Sequence, residues 1–307
     1  MTGEAMGPTP FVRTVRRVLQ GPAGPLPSFV GEDVNLDRAT VDGFGEEWER
    51  FGHFSDDDVA AGGREYFADL LPDESLRGRR VLDIGCGSGR WTRYFAARAA
   101  FVDAADPSSA ALVAQRATSG LPNVRVVHAS VDSLPYAPES FDVVASVGVL
   151  HHVRDTASAV TRAASFVKPG GKLYLYLYYR LDDRPWMYRL AFAGSALLRG
   201  AISRLPSRPR IITCEVAAVV IYLPLVILAR LVRRLAPARR LHERVPLHYY
   251  VDKPWKIIRN DALDRLGTPL ERRFSRAEIE AMLRDAGLVR PAFGDTMPRW
   301  RVVAEKP

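Results

Sequence analysis

Val81-Leu82-Asp83-Ile84-Gly85-Cys86-Gly87-Ser88-Gly89-Arg90 is the stretch on which the fold of this chain turns. Arg80 to Ile84 reads as a short apolar strand that runs into a glycine turn and then a helix through about Arg98. A buried strand, a tight turn and a helix form the repeating unit of parallel sheets covered on both faces. Glycines at such a turn let a ligand and the backbone approach closely. The spacing here is Gly-x-Gly-x-Gly, whereas the dinucleotide fingerprint is Gly-x-Gly-x-x-Gly. Asp83 stands two places before Gly85, where a carboxylate repels a pyrophosphate and attracts a cation.

Outward from this turn, strands and helices alternate. Phe101 to Ala105 reads as the second strand and Ser108 to Ala117 as a helix. Val124 to Val127 and Phe141 to Ser146 follow as the third and fourth strands, and Asp155 caps a helix to about Phe166. Lys168-Pro169-Gly170-Gly171 turns into the fifth strand, Lys172 to Tyr178. Ser275-x-x-Glu278 is a capping box whose helix stops at Gly287, with two more strands near Val289–Phe293 and Trp300–Ala304. So short a separation demands a hairpin, so the last strand runs antiparallel. The expected fold is α/β: a doubly wound, mostly parallel, seven-stranded sheet with a helical insertion. Residues 1 to about 30, rich in Gly and Pro, are expected as a loose arm, and Phe44 to Leu71 as two helices, the second opening after Ser55-Asp56-Asp57-Asp58. The expected domains are an N-terminal arm and cover (1–78), a cofactor-binding core (79–179), a helical insertion or lid (180–274) and a C-terminal helix and hairpin (275–307).

The charge is lopsided. The whole chain of 307 residues carries +8, but residues 1–179 hold 18 basic and 22 acidic side chains while residues 180–307 hold 25 and 13. A nucleic-acid-binding reading is poor for a molecule whose larger part is acidic. Two cysteines, Cys86 and Cys214, make neither a disulfide framework nor a multi-cysteine metal site, and Met1 to Pro10 has no basic stretch leading into an apolar run, so a reduced, cytoplasmic setting is expected, with no metal. The insertion carries apolar stretches at Trp186–Ile202 and Val216–Val232, then an arginine-dense segment from Arg230 to Arg244. The apolar run Val216–Ala229 is expected to be too short to span a bilayer; it contains Pro224 and is followed at once by Arg230. A buried helix of a cap is the favoured reading. Peripheral membrane contact through 216–244, apolar face in lipid and arginines on headgroups, is the sharper one.

Asp106 ends the second strand 23 residues after Asp83, the position from which a carboxylate holds ribose hydroxyls. A ligand with a ribose and a positive charge but no phosphate is S-adenosylmethionine. At this point the residues resemble the class I S-adenosylmethionine-dependent methyltransferases, in particular their ubiquinone/menaquinone-biosynthesis-like (type 11) small-molecule group. The resemblance covers roughly Arg79 to Tyr178. It rests on the glycine turn, Asp106-Pro107-Ser108, Ser133-Leu134-Pro135-Tyr136 leading to Ser140-Phe141-Asp142-Val143-Val144, Val149-Leu150-His151-His152-Val153, and Lys168-Pro169-Gly170-Gly171. It implies that Asp83, Gly85, Cys86, Gly87 and Gly89 hold the methionine portion, that Asp106 and Pro107 meet the ribose, and that Ser130, Val131 and Asp132 surround the adenine, with Val147 at the end of the fourth strand. The family has an acid where Ser130 stands; here Ser130 accepts one hydrogen bond or Asp132 takes over. Phe44-Gly45-Glu46-Glu47-Trp48 resembles an N-terminal cover that places Trp48 near the cofactor.

Methyl transfer from a sulfonium is an in-line displacement, so alignment and exclusion of water are the protein's main tasks. A hydroxyl acceptor also gives up a proton. His151 and His152 follow the fourth strand at the sheet's carboxyl edge, and as neighbours only one is expected to face the pocket. His248, in the insertion, is the third candidate base, while His128 reads as structural. Tyr174, Tyr176 and Tyr178 alternate along the fifth strand and share a face, with Tyr178 or Tyr179 at the pocket edge. The insertion is expected as a lid in which Trp186, Tyr188 and His248 shape the acceptor pocket. Ser146-Val147-Gly148-Val149 stands where nucleobase-amine methyltransferases carry Asn-Pro-Pro-Tyr, so the expected acceptor is a bulky, partly apolar small molecule, lipid-like or anionic, methylated at oxygen first and carbon next. A membrane-surface or protein-binding module retaining the cofactor fold without turnover is the alternative from another class, and a dehydrogenase is a distant third.

Overall fold

The computed structural model describes residues 6–180, 186–235, 241–295 and 299–307, without the side chains of 186–191, 243 and 244. Two compact units divide the chain: Met1–Asp182 together with Leu270–Pro307, and Asp183–Pro269.

The first unit is built on one sheet. Its strands are β1 (Arg17–Gly21), β2 (Gly24–Ser28), β3 (Arg80–Ile84), β4 (Phe101–Asp106), β5 (Val124–His128), β6 (Phe141–Val147), β7 (Val167–Tyr178), β8 (Val289–Phe293) and β9 (Arg299–Glu305). Their order in the sheet is β1-β2-β5-β4-β3-β6-β7-β9-β8. The central ladders β5-β4-β3-β6-β7 are parallel, and β9 runs antiparallel to both β7 and β8. Val81, Leu82, Val102, Val144 and Leu173 are fully buried, as expected of strands enclosed by helices on both faces. The chain leaves β3 toward β4 and β5 on one side, then returns to build β6 and β7 on the other. The end of β3 is therefore a topological switch point, the place where open sheets bind ligands.

The expected seven strands are nine, because the N-terminal residues are not a loose arm. β1 and β2 form a hairpin that turns at Gly24, whose φ of +110° suits glycine. Leu26 is fully buried with Ala104, Ala111 and Val126. β2 meets β5 at Ser28 only. Phe29 N–H donates to the His128 carbonyl there, whereas Pro25 and Pro27, on the same edge, have no N–H to give. Farther back, Thr9 donates through its hydroxyl to Asp103 Oδ2 (2.5 Å), and Arg125 pairs with the other oxygen of that buried carboxylate. Burial raises the Asp103 pKa, with Arg125 and Thr9 opposing it, so the arm is tied down by a carboxylate that needs it.

Helices α1 (Arg38–Phe51) and α2 (Asp56–Phe67) follow the hairpin, capped by Asp37 and by a Ser55/Asp58 capping box. Helices α3 (Arg90–Ala96), α4 (Ala110–Thr118), α5 (Thr156–Ser165) and, near the C-terminus, α10 (Arg276–Asp285) cover the sheet. The Ser275/Glu278 capping box opens α10.

The second unit is helical: α6 (Trp186–Ile202), α7 (Ser207–Ala217), α8 (Leu223–Leu235) and α9 (Trp255–Gly267). A single wide turn, Ala218–Tyr222, joins α7 to α8, so residues Ser207–Leu235 form one unbroken 29-residue helix. This corrects the length read for Val216–Ala229, which is part of a helix long enough to cross a bilayer by length and composition. Pro224 has no N–H for the helix ladder, and the wide turn before it absorbs the mismatch instead of ending the helix. The helix buries one face, with Cys214, Ala218, Tyr222, Val226 and Ala229 turned into this unit. Part of the arginine-dense segment, 236–240, lies outside the described residues.

Candidate active site

The site grows from the turn after β3. Gly85, Gly87 and Gly89 have φ of +74°, +52° and +77°, and all three are also crowded, Gly85 by Val149. A Cβ on Gly87 would stand 2.9 Å from Trp48 Nε1, and one on Gly89 would stand 3.1 Å from Ala114 Cα. Trp48, from α1, thus lies against the glycine turn. Cys86 is buried, and burial with the nearby Asp106 and Asp83 carboxylates pushes its thiol pKa well up, so it stays protonated and is no nucleophile.

Beneath and beside the turn are two buried carboxylates. Asp83, 1% exposed, accepts from Thr92 Oγ1 at 2.7 Å. Burial pushes its pKa up to about 7, opposed by that hydrogen bond and aided by Asp106. Asp106 Oδ2 accepts from Gly87 N–H (2.9 Å), and its Oδ1 accepts from Ser108 N–H (2.8 Å) and hydroxyl (2.6 Å). Its pKa too is raised, by burial against those hydrogen bonds. Neither carboxylate has a Lys or Arg partner among the described residues. Two uncompensated buried acids around a glycine turn make a site that a cationic ligand satisfies and a pyrophosphate does not. The sulfonium and ammonium charges of S-adenosylmethionine fit that electrostatic demand, and the ribose fits Asp106.

Across the sheet the sequence runs from the turn at β3 to Asp106 at β4 and then to Ser130, Val131 and Asp132 after β5. Val131 is buried in the core, and Asp132 uses its backbone carbonyl to hold Arg13. Burial raises the Asp132 pKa, with Asp33 adding to the shift. Sequence reasoning missed Asp33. Its Oδ2 accepts from the hydroxyls of Ser130 (2.5 Å) and Ser133 (3.0 Å), and its Oδ1 accepts no hydrogen bond among the described residues. The Ser130 hydroxyl is thus committed as a donor, and a carboxylate 97 residues upstream stands where the family pattern has an acid in the chain. No spacing rule connects residues that far apart.

His151 and His152 lie on a short 3₁₀ turn, Leu150–His152, and both are buried. Both rings can be enclosed because a 3₁₀ turn does not alternate sides as a strand does. Their rings are 4.1 Å apart, and Tyr178 stacks on His151 at 4.0 Å. His152 Nδ1 meets the Leu270 carbonyl at 2.7 Å, which makes that nitrogen the donor, and Phe44 packs edge-on against the ring. His151 is different. Fully buried, it makes no well-formed hydrogen bond on either ring nitrogen among the described residues, with the Tyr176 backbone as a polar neighbour. Burial holds its pKa well below the usual histidine range, with His152 and Arg273 adding to the shift. Arg273 is paired with the buried Glu271 at 2.7 Å and lies over the Tyr178 ring. A buried imidazole without well-formed hydrogen bonds is costly, and the residues around it form the natural place for an acceptor's polar hydrogen.

The remaining candidates sit elsewhere. His128 Nδ1 bonds Ser28 Oγ at 2.8 Å and locks β2 to β5. Tyr174 donates to the Tyr66 carbonyl, and Tyr176 stacks on Tyr66 with its ring 6.3 Å from His151, whereas Tyr178 stacks directly on His151. Pro107 and Val147 are half-buried at the ends of β4 and β6. His248 belongs to the second unit, where it is exposed and its Nδ1 lies 3.2 Å from the Val245 carbonyl. The side chains of Trp186 and Tyr188 lie outside those described.

Comparison with known proteins bears on the same segment. A family model described as "Methyltransferase domain" matches residues 82–175. The ubiquinone biosynthesis O-methyltransferase of Paracidovorax citrulli is 35% identical over 133 residues, 42% of this chain and 55% of that protein. Its counterpart from Alkalilimnicola ehrlichii is 38% identical over 137 residues, 44% and 53% of the two chains. This chain spans about half the length of the curated relatives it matches. Among solved structures, a magnesium protoporphyrin IX methyltransferase from Synechocystis PCC 6803 aligns over 88% of this chain and all of its own, at 15% identity and a TM-score of 0.49. From the sheet order, the glycine turn and the family match together, residues 82–175 are a methyltransferase domain similar to those of the class I S-adenosylmethionine-dependent methyltransferases.

Proposed function

We propose that this chain transfers a methyl group from S-adenosylmethionine to a bulky, partly apolar small molecule, at oxygen in preference to carbon. The observation that carries the reading is the pair of buried carboxylates, Asp83 and Asp106, without a cationic partner among the described residues. S-adenosylmethionine, when bound, supplies an electrophilic methyl group and a positive charge. Asp83 and Asp106 answer that charge, Asp106 also accepts from ribose hydroxyls, Asp33 accepts from the adenine amino group through its free oxygen, and Trp48 shields the turn from water.

His151 takes the acceptor's hydroxyl proton on a ring nitrogen. Burial keeps it neutral at physiological pH and so ready to accept, and His152, pinned through Nδ1, holds its plane. The proton arrives as the ligand's sulfonium charge is lost, so the total charge of protein and ligands is unchanged by the step. That exchange makes an imidazolium tolerable in a site that otherwise opposes one. Oxygen as acceptor atom is supported by the names of the two relatives, both O-methyltransferases. A binding module without turnover has no use for a buried imidazole without well-formed hydrogen bonds, so the catalytic reading is preferred. We also infer that the second unit selects the acceptor.

Calorimetry and a methyl-transfer assay test the reading. The sulfonium cofactor or its demethylated product should bind and NAD should not, and label should pass from the methyl group to phenolic acceptors. Replacing residues 183–269 by a Gly/Ser linker should spare cofactor binding and abolish acceptor selectivity. Tight NAD binding with none of the sulfonium compound would falsify the proposal.

A further inference from the structure

The outer face of the α7–α8 helix goes beyond the methyl-transfer reading and does not depend on it. We propose that this face docks on an anionic lipid bilayer, the helix lying flat among the headgroups. At 29 residues the helix is about 43 Å long. Its outer face exposes Ile212 (63%), Val216 (54%), Val220 (66%), Ile227 (44%), Leu231 (48%) and Leu235 (85%). Only 28% of its most apolar 18-residue stretch is buried, so it is not the enclosed helix of a core. The steps between the outer residues are mostly four, slightly longer than a helical turn. The wide turn at Ala218–Tyr222 takes up the excess and keeps the residues in one line.

Charge identifies the occupant. Glu215 is the only acid in residues 207–235, and Arg259 clamps both of its oxygens at 2.6 Å. Arg208 at the start and Arg234 at the end are exposed, with no hydrogen bond or ion pair among the described residues. Arg230 and Arg233 near the same end reach the Val251 carbonyl and Asp252, and Arg239 and Arg240 follow in sequence. An apolar line with arginines at both ends and no acid along its outer face is complementary to acyl chains beneath anionic headgroups. A second copy is a poorer occupant, because antiparallel pairing sets the arginines of one end against those of the other. A bilayer span is also poorer. The inner face packs within this unit and carries the Glu215–Arg259 pair, which hydrocarbon would penalise.

Flotation of the full chain with vesicles tests the proposal. The protein should float with phosphatidylcholine vesicles containing about one-third phosphatidylglycerol, far less with phosphatidylcholine alone, and less in high salt. Val216→Asn combined with Val220→Asn and Ile227→Asn should cut binding at least about tenfold. Arg208→Gln with Arg234→Gln, which leaves the apolar line intact, should cut it about thirtyfold, from about fivefold per arginine neutralised. Helical circular dichroism and cofactor binding by the first unit should be unchanged in both, which separates loss of docking from loss of fold. The proposal fails if the parent floats with neither vesicle, or if the apolar variant floats like the parent. It also fails if light scattering without lipid shows a dimer that the apolar variant dissolves, or if alkaline carbonate leaves the protein in the membrane.

Discussion

Asp83→Asn isolates the electrostatics of the site. A carboxyl group that titrates near 7 is half protonated at neutral pH, and a cationic ligand prefers it ionised. If S-adenosylmethionine binds only the ionised form, affinity should climb as pH rises from 5.5 to 7.5. With a pKa of about 7 the gain over that window is about 25-fold, close to 2 kcal/mol, and binding should release close to one proton at the acid end. Stability runs the other way. The folded pKa lies above the unfolded value of 3.8, so ionising Asp83 in the unliganded fold costs stability progressively between pH 4 and 7, on the order of 4 kcal/mol in all. Asn keeps an acceptor for Thr92 Oγ1 and never ionises. The variant should therefore be more stable than the parent at pH 7.5 without ligand, bind the cofactor more weakly, and lose the pH slope. Calorimetry in buffers of different ionisation enthalpy and thermal unfolding across pH measure all three. A slope that survives in Asp83→Asn, or a variant less stable than the parent at pH 7.5, refutes the reasoning.

His151→Ala should lower turnover of a hydroxyl acceptor on the order of a hundredfold with cofactor affinity unchanged, and a stopped assay beside calorimetry checks it. His152→Ala should act mainly through stability, because it strands the Leu270 carbonyl; a lowered melting temperature is the expected readout. Asp33→Ala should weaken cofactor binding roughly tenfold to a hundredfold yet leave unchanged the affinity of the inosine analogue, which lacks the amino group; an equal loss for both ligands would count against the contact. Arg301→Ala removes a buried guanidinium that holds both oxygens of Asp69 and the Tyr66 carbonyl, tying β9 to the turn after α2. It should destabilise the fold by roughly 3 kcal/mol in urea unfolding.

The strand–turn–helix unit at residues 80–98 was legible without coordinates, because short-range physics makes it. Apolar runs bounded by glycine specify buried strands, and a carboxylate two places before the turn specifies the sign of the ligand's charge. The antiparallel last strand followed from chain length alone, since a short link permits only a hairpin. Tertiary structure decided the rest wherever distant residues meet. The Gly/Pro-rich N-terminus became two strands because Leu26 finds a pocket on β4 and β5 and Asp103 needs Thr9. Asp33 reached Ser130 across 97 residues, beyond any local periodicity. Which histidine keeps its ring nitrogens free depended on where the Leu270 carbonyl came to lie. In the second unit, the sequence spelled an apolar helix and its arginines, but only the packing of Tyr222, Val226 and Ala229 determined which face is left outward. Local signals set what each element is; burial and long-range hydrogen bonding set what each side chain is left to do.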